Sequence, residues 1–271
     1  MMLFKPVVLA FSSLIDKELA EGEKINERYV IEKFLGMGSY GHSYLVYDSY
    51  LEKKVVLKLV RFHKRITKKG LRIHQYEIDL LKSLQHTSFP TVFDEGMWGR
   101  VPFFTMEYIQ GKTFEQLIFT DGQKFTEAES LAYGLKLLER IEYLHHKGIV
   151  HRDLRIPNLM LEGEDLKVID FGLAKWLSHA DNKKRELKSE ISPQADYFQL
   201  GHFLLFLLYS NYETNGSEKE RPWDEELSLS LETKQLIKRL LQVEEPFETY
   251  NELKTCFLHA VNKGRKKHVT F

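Results

Sequence analysis

A change of hydrophobic pattern near Gly111 constrains the fold more than any other feature of this sequence. Residues 28–62 are rich in β-branched and aromatic residues and are broken by Gly and Asp-Ser, which predicts three antiparallel strands. Helical spacing follows over 66–85, and two further strand-like runs surround "GMWGR" at 96–100. Beyond Gly111 the spacing predicts a helical remainder, with helices over 113–119, 126–147, 195–209, 231–242 and 248–262.

This division predicts an α+β protein with a β-rich first lobe, carrying one main helix, and an α-helical second lobe. The chain has 271 residues, enough for one large domain or two closely joined lobes. We expect an N-terminal extension over 1–27, the first lobe over 28–105, a connection over 106–111 and the second lobe over 112–271. The single domain then runs over 28–262, and a cleft between lobes is a usual place for a ligand.

Charge and cysteine content limit the partners and the compartment. The chain contains 39 basic and 39 acidic residues, so no global field favours nucleic acid. Cys256 is the single cysteine, which excludes an internal disulfide and fits a reducing compartment. We therefore expect a cytoplasmic protein that has no nucleic-acid partner, and a buried structural role for this thiol.

Two apolar stretches require comparison with membrane segments. The N-terminal "MMLFKPVVLAFSSLI" has one Lys, is interrupted by Pro6 and lacks a small-x-small cleavage site, so a docked helix or extended arm is favoured over a signal peptide. The run at 197–209 has 13 residues, short of the roughly 20 that span a bilayer. It predicts a helix buried on all sides in a protein core, and no membrane partner is expected.

The stretch "GMGSYG" places Gly36, Gly38 and Gly41 between two predicted strands. Glycines allow a backbone to approach a phosphate closely and to offer its N–H groups, but they also serve ordinary hairpin turns. A dinucleotide-binding motif needs a helix directly after the glycines. The residues that follow, "HSYLVYD", are strand-like, so a flap over phosphates is the favoured interpretation.

Lys58 ends the apolar strand "VVLK". A lysine at a strand end often reaches into water. Here Glu77 lies in the predicted helix 19 residues later, and an ion pair with it would hold the ammonium against phosphates. The sequence therefore favours a functional lysine.

The stretch 151–172, "HRDLRIPNLMLEGEDLKVIDFG", concentrates oxygen-bearing side chains. Asp170 follows Asp153 by 17 residues, and Asn158 lies between them. The Asn158 amide and the Asp170 carboxylate offer the hard oxygen ligands that Mg²⁺ prefers. Asp153 would then accept the proton of an attacking hydroxyl, as in-line phosphoryl transfer requires.

With these motifs in this order, residues 28–260 resemble the eukaryotic-like (Hanks-type) protein kinases, in particular small stand-alone bacterial serine/threonine kinases. The resemblance implies a bilobal protein-kinase-like fold with ATP and Mg²⁺, or Mn²⁺, as cofactors. It implies that Asn158 and Asp170 hold the metal. The implied catalytic residues are Asp153, Lys58, Glu77, Arg155 and Asn158.

The same resemblance implies the residues that bind ATP. They are Leu35, Gly36, Met37, Gly38, Ser39, Tyr40, Gly41, Ser43, Val56, Lys58, Met106, Glu107, Tyr108 and Met160. Met106 would be the gatekeeper, and Glu107 to Tyr108 would offer backbone groups to adenine. "DYFQLG" implies that Asp196 braces the backbone of His-Arg-Asp.

Several positions depart from the family pattern. Ser43 and Val56 replace the usual Val and Ala around adenine, which implies a reshaped pocket. Arg155 replaces a common Lys, and because some tyrosine kinases share "HRDLR", this position leaves the choice of hydroxyl open. No Ala-Pro-Glu closes the segment between Asp170 and Asp196, and Thr249 stands where its Arg partner is expected.

Regulation can also be inferred from the resemblance. Arg152 would pair with a phosphorylated residue of that segment. The available hydroxyls are those of Ser178, Ser189 and Ser192. The basic runs at 61–72 and 264–268 would suit an acidic partner, although solvated charged faces are favoured.

Three functions are consistent with these residues. A protein kinase acting on Ser/Thr is favoured by the full set of motifs. A small-molecule kinase is favoured by the short segment without Ala-Pro-Glu, but Arg152 and the complete glycine pattern oppose it. A nucleotide-binding pseudokinase scaffold is opposed because every catalytic position holds a workable residue. The resemblance implies ATP and an unidentified protein substrate as partners.

Overall fold

The structure is a computed structural model that describes residues 18–38, 41–177, 192–213 and 221–267, with side chains described as far as residue 263. Residues 1–17 of the N-terminal extension predicted over 1–27 lie outside the described residues. Lys24–Ile25 of the same extension form a strand of the first unit, so the predicted boundary at residue 28 is too late. The chain divides into two compact units, Met1–Gln110 and Gly111–Phe271.

The first unit contains a six-stranded antiparallel sheet with the order β1-β2-β3-β4-β6-β5. The strands are β1 (Lys24–Ile25), β2 (Tyr29–Met37), β3 (Gly41–Asp48), β4 (Lys53–Val60), β5 (Val92–Trp98) and β6 (Val101–Glu107). Alternating burial along β2 and dense β-branched residues in β4 account for the strands. The predicted strands on both sides of the first helix are confirmed.

Alternate residues of neighbouring strands form the core of this unit. Tyr44 and Val46 of β3 lie in one buried cluster with Val55 and Leu57 of β4 and Phe103 of β6. Side chains two residues apart share a face of a strand, so the period of the sequence explains the cluster. Burying each such side chain stabilises the fold by roughly 2 kcal/mol.

Two helices follow β4, namely α1 (Phe62–Arg65) and α2 (Lys68–Ser83). Thr67 begins α2, because its side chain accepts a hydrogen bond from the N–H of Gly70. A Cβ at Gly70 would lie 2.2 Å from the Lys64 carbonyl oxygen, so only glycine permits this approach of the two helices. The buried face of α2 includes Glu77 and Ile78.

The second unit is mainly helical. Its helices are α3 (Phe114–Phe119), α4 (Glu127–His146), α5 (Pro193–Tyr209), α6 (Trp223–Glu226), α7 (Leu231–Leu240) and α8 (Tyr250–Lys267), with a 3₁₀ turn at Ile156–Asn158. Its short strands are β7 (Lys112–Thr113), β8 (Ile149–Val150), β9 (Leu159–Glu162), β10 (Asp165–Val168) and β11 (Lys175–Trp176). All helices predicted beyond Gly111 are present, and the last extends to Lys267 rather than 262.

Capping boxes define where α3 and α4 begin. Thr113 and Gln116 exchange side-chain and backbone hydrogen bonds at α3, and Thr126 and Glu129 do the same at α4. Helix α4 then packs against α5 and α8. This arrangement places the end of α4 directly before β8 and the 151–158 loop.

The prediction that the helix over 197–209 is buried on all sides is wrong. Phe198 is 38% exposed and Phe206 is 45% exposed, and His202 between them is also exposed. These residues are four apart, so they form one stripe along α5. Uniform hydrophobicity marks this helix as apolar, but it cannot show which face the neighbouring helices leave uncovered. Part of this face lines a groove with Ile118 and Phe119 of α3.

Within the described part of the chain, every helix is too short or too polar to cross a membrane.

Gly134 provides a test of the packing of α4. A Cβ at this position would lie 2.6 Å from Leu204 Cδ2 and 2.8 Å from Phe257 Cζ, and both side chains are fully buried. We expect Gly134→Ala to lower the free energy of unfolding by about 1–3 kcal/mol, because overpacking outweighs the gain in helix propensity. Urea unfolding measures this change.

Glu139→Ala is the control, since Glu139 lies on the exposed side of α4 with 47% of its side chain accessible. It should change the stability by less than about 0.5 kcal/mol. Equal stability of Gly134→Ala and the wild type would contradict the tight packing of α4 against α5 and α8.

Candidate active site

The glycine-rich turn joins β2 to β3 in the first unit. Gly36 has a φ of +152°, a conformation that residues with a side chain rarely adopt. Gly38 donates its N–H to the carbonyl of Gly41. A Cβ on Gly41 would lie 2.6 Å from the Leu59 carbonyl oxygen. The turn therefore needs glycine at both of its ends, and its backbone lies directly against β4.

Other residues predicted in this turn have different positions. Leu35 and Met37 lie in β2 with exposed side chains. Ser43 lies in β3 opposite Lys58 of β4. Ser39 and Tyr40 lie outside the described residues.

Lys58 and Glu77 form a buried ion pair. The distance between Lys58 Nζ and Glu77 Oε1 is 2.6 Å, and only 9% and 3% of the two side chains are exposed. The absent Cβ of Gly41 would lie 3.3 Å from Lys58 Cγ, so the glycine turn and the lysine are neighbours. The predicted ion pair is present, and it holds the Lys58 ammonium group while the stem of the side chain lies beside the turn.

His74, which sequence reasoning missed, lies one turn before Glu77 on the buried face of α2. Its ring centroid is 5.5 Å from that of Phe104. Burial, together with the positive charge of Lys58, lowers the pKa of His74 to about 4, against an opposing effect of Glu95. A neutral imidazole therefore supports the helix that carries Glu77. The sequence offers only the helical spacing from Glu77 as an indication of this position.

The predicted adenine-binding segment ends strand β6. Met106 pairs with Val56 of β4 across the sheet, and Val56 is buried. Glu107 donates its backbone N–H to the Thr91 carbonyl at 2.8 Å. Because this N–H already has a hydrogen-bond partner within the unit, the predicted contacts to adenine are limited to the other backbone groups of Glu107 and Tyr108.

In the second unit, Asp153 lies in a loop between β8 and the 3₁₀ turn. Its Oδ1 accepts a hydrogen bond from Arg155 Nε at 2.5 Å, and its Oδ2 accepts bonds from Arg155 Nη2 at 3.2 Å and Asn158 Nδ2 at 2.9 Å. Asp153 itself is buried, whereas 66% of the Arg155 side chain is exposed. The Asp153 carboxylate raises the pKa of Arg155 above its usual value. The structure brings these predicted residues together.

Asn158 and Asp170 lie on adjacent segments, because Ile169 donates its N–H to the Asn158 carbonyl at 2.9 Å. Asn158 Nδ2 donates to both the backbone carbonyl and the carboxylate of Asp153. The amide oxygen is therefore the atom that Asn158 can offer to a cation. Met160, predicted to contact ATP, follows in β9 between Lys167 of β10 and Thr113 of β7.

The donor set suits a cation that also binds phosphate. Among the described residues, no cluster of three His, Cys, Asp or Glu side chains could hold a metal ion. Mg²⁺ is usually bound by one or two carboxylates together with substrate phosphates and water. An amide oxygen from Asn158 and the carboxylate of Asp170 fit that role.

Asp196 of α5 holds the backbone of this loop. Its two carboxylate oxygens accept hydrogen bonds from the N–H groups of His151 at 2.9 Å and Arg152 at 2.8 Å. His145 Nε2 lies 2.9 Å from the same carboxylate. The prediction that Asp196 braces His-Arg-Asp is confirmed.

Gln199, one turn further along α5, was not predicted. It accepts a hydrogen bond from the N–H of Leu154 and donates one to the carbonyl of Arg152.

The segment after Asp170 is described only in part. Ser178 and Ser189, two of the proposed phosphorylation sites, lie outside the described residues. Ser192 begins α5, and its hydroxyl accepts a hydrogen bond from the N–H of Gln194. Thr249 likewise accepts a bond from the N–H of Glu252 near the start of α8. Thr249, which stands where the family has the Arg of an ion pair, therefore stabilises the start of α8.

Comparison with known proteins identifies the family. The sequence profile of the protein kinase domain matches residues 29–247. The chain belongs to the protein kinase family. The resemblance inferred from the motifs is thereby confirmed, and so is the fold class.

Among curated proteins, the chain is 41% identical over 235 residues to the "Probable serine/threonine-protein kinase YbdM" of Bacillus subtilis strain 168, covering 87% of this chain and 90% of that protein. It is 30% identical over 158 residues to serine/threonine-protein kinase PrkC of the same strain, covering 58% of this chain but 24% of PrkC. The kinase domain of Mycobacterium tuberculosis PknI (C20A mutant) superposes with a TM-score of 0.68 at 20% identity, covering 92% of this chain and all of that one. The PknI comparison shows a shared fold.

The Lys58–Glu77 pair generates a prediction about stability. Removing one member of a buried ion pair costs about 3–5 kcal/mol, whereas replacing both members with apolar residues costs far less. We therefore expect Glu77→Leu to be less stable to urea than the double variant Lys58→Met/Glu77→Leu. The control is Lys82→Met, which removes an exposed ion pair to Glu95 and should have little effect. A double variant that is less stable than Glu77→Leu would contradict this account of the pair.

His74 generates a prediction about pH. The unfolded chain binds a proton at His74 below about pH 6.5, but the folded chain does so only near pH 4. Stability must therefore fall as the pH falls through this window, by about 2 kcal/mol between pH 7.5 and pH 5 from His74 alone. We expect His74→Phe to remove that part of the pH dependence in urea unfolding.

Phe104→Leu is the matched control, since it alters the same contact without removing a titratable group. It should lower the stability by a similar amount at both pH values. If His74→Phe retained the full pH dependence of the wild type, another group would have to be responsible.

Proposed function

We propose that this chain is an ATP-dependent protein kinase that transfers the γ-phosphate of ATP to serine or threonine hydroxyls of protein substrates. The observation that carries the proposal is the buried Asp153 carboxylate, oriented by Arg155 and Asn158 in the loop beside Asp170. The names of YbdM and PrkC as serine/threonine-protein kinases support this choice of hydroxyl over tyrosine.

Residues of the first unit would bind the nucleotide. The turn that contains Gly36, Gly38 and Gly41 would bring its backbone close to the phosphates, as glycine-rich turns do. The Gly38 N–H is already bonded to the Gly41 carbonyl, so other N–H groups of the turn would donate to the phosphate oxygens. Lys58 would neutralise the α- and β-phosphates, and Glu77 fixes the position of its ammonium group. Val56 and Met106, which face each other across β4 and β6, would contact the adenine ring.

Residues of the second unit would act on the acceptor. Asp153 would accept the proton of the attacking hydroxyl, because its carboxylate is fixed within the loop by Asn158 and Arg155. Asn158 and Asp170 would hold Mg²⁺, which neutralises the charge on the phosphates during transfer. Arg155 would orient Asp153 with its planar guanidinium, which contacts both carboxylate oxygens.

Two alternatives receive less support. A small-molecule kinase would fit the absence of Ala-Pro-Glu after Asp170, but the curated relatives carry protein-kinase names. A pseudokinase scaffold would not need the ion pair and the oriented carboxylate described above.

Autophosphorylation at Ser178, Ser189 or Ser192 is part of the proposal. The Arg152 guanidinium would then form an ion pair with the phosphorylated serine. A reducing cytoplasmic setting is also part of the proposal, and it is supported by the presence of a single cysteine in the chain. That cysteine, Cys256, is only partly buried, so the fully buried role predicted for its thiol is wrong.

Phosphate transfer from γ-labelled ATP tests the proposal directly. Purified protein would be incubated with Mg²⁺ or Mn²⁺ and generic acceptor proteins, followed by intact-mass and phosphoamino-acid measurement. We expect incorporation into serine or threonine, and a loss of about 100-fold or more in Asp153→Asn, because a general base contributes about 10²–10⁴-fold. Lys58→Met should abolish incorporation by removing the phosphate contact.

Lys112 and Asp121 provide matched controls, because they form an exposed ion pair at 2.7 Å. Lys112→Met and Asp121→Asn make the same chemical changes and should retain wild-type activity. Incorporation only into tyrosine would refute the serine/threonine assignment. Absence of incorporation with nucleotide binding intact would favour a small-molecule substrate or a scaffold.

A further inference from the structure

Asp153 lies between Arg152 and Leu154, and the backbone groups of both residues form hydrogen bonds with one side chain of α5. Gln199 Oε1 accepts a hydrogen bond from the N–H of Leu154 at 2.7 Å. Gln199 Nε2 donates a hydrogen bond to the carbonyl of Arg152 at 2.9 Å. The carboxamide therefore bonds to the backbone on both sides of the residue assigned as the base.

The backbone at this point requires external support. Arg152 has a φ of +68°, which is unfavourable for a residue with a side chain and persists only when surrounding groups enforce it. Asp196 bonds to the N–H groups of His151 and Arg152, and Gln199 bonds to the carbonyl of Arg152 and the N–H of Leu154. The two side chains lie three residues apart on α5, so they share one face.

The two side chains have different tasks in this arrangement. Asp196 can only accept hydrogen bonds, so it cannot hold the Arg152 carbonyl. A carboxamide can accept and donate at once, and Gln199 uses both groups. Asp196 fixes the backbone before the base, and Gln199 fixes the peptide groups on both sides of it.

We propose that Gln199 is a positioning residue for phosphoryl transfer, holding the Asp153 carboxylate where an acceptor hydroxyl must meet it. This inference rests on the proposed function. Among the described residues, the hydrogen bonds of the Gln199 side chain go to the peptide groups that flank Asp153 and not to its carboxylate. Because a displacement of about 1 Å in a catalytic group can cost about 100-fold in rate, its loss should reduce turnover far more than it reduces stability.

The decisive variant is Gln199→Met, which keeps the length of the side chain but can neither donate nor accept these bonds. Its matched control is Gln194→Met, on the same helix. Gln194 Nε2 donates to the Phe247 carbonyl at 2.6 Å, so this substitution also removes a side-chain bond to a backbone carbonyl. It leaves the loop around Asp153 untouched.

We expect kcat of Gln199→Met to fall about 10- to 100-fold, with KM for ATP within about twofold of wild type and Tm equal to that of Gln194→Met. Gln194→Met should retain wild-type kcat. A kcat of Gln199→Met within twofold of the control, or a fall that only parallels a lower Tm, would overturn the inference.

Amide hydrogen exchange at Leu154 separates this inference from the proposed function, because it requires no turnover. In Gln199→Met the Leu154 amide should exchange about tenfold faster or more, while Gln194→Met should leave it unchanged. Unchanged exchange in Gln199→Met would overturn the inference even in an active kinase. If the wild type transferred no phosphate, the proposed function would fail, and faster exchange would still show that Gln199 holds the loop.

Discussion

The buried carboxylate of Asp196 is the interaction on which the second unit depends most. Its side chain is fully buried, and an isolated charge there would be costly. Two backbone N–H groups of the 151–152 stretch and the ring of His145 approach it. Charge-assisted bonds of this kind are stronger than neutral ones. The apolar helix α5, the end of α4 and the loop bearing Asp153 are thereby tied at one point.

The first unit also contains buried charges, but here two opposite charges are in contact. The ion pair of Lys58 and Glu77 contributes little to stability, because the cost of desolvating both groups offsets most of their attraction. Apolar residues would pack β4 against α2 at least as well. The pair is better explained by the fixed position that Glu77 gives to the ammonium group of Lys58, whose stem lies beside Gly41. His74 adds to this support as a buried neutral ring against Phe104.

Local patterns in the sequence account for the elements and for the residues that bear the chemistry. The β-branched and aromatic residues of 28–62 predict β2 to β4, and the order of Gly36, Lys58, Asp153 and Asp170 predicts the family. Contacts between distant residues were harder to infer. Gln199 meets a loop 45 residues earlier in the chain, and the Glu107 N–H bonds to Thr91. The exposed stripe of α5 depends on which helices cover it, and hydrophobicity alone does not contain that information.

Arg155 shows how a departure from the common pattern acts on the base. Its guanidinium contacts both oxygens of Asp153, a planar match that a lysine ammonium cannot make. Most of the Arg155 side chain is exposed, and exposed ion pairs contribute little to stability. The contact therefore orients the carboxylate but adds little to stability. Asp153 is also held by less exposed hydrogen bonds. Asn158 donates one to its carboxylate, and side chains of α5 bond to the backbone groups on both sides of it.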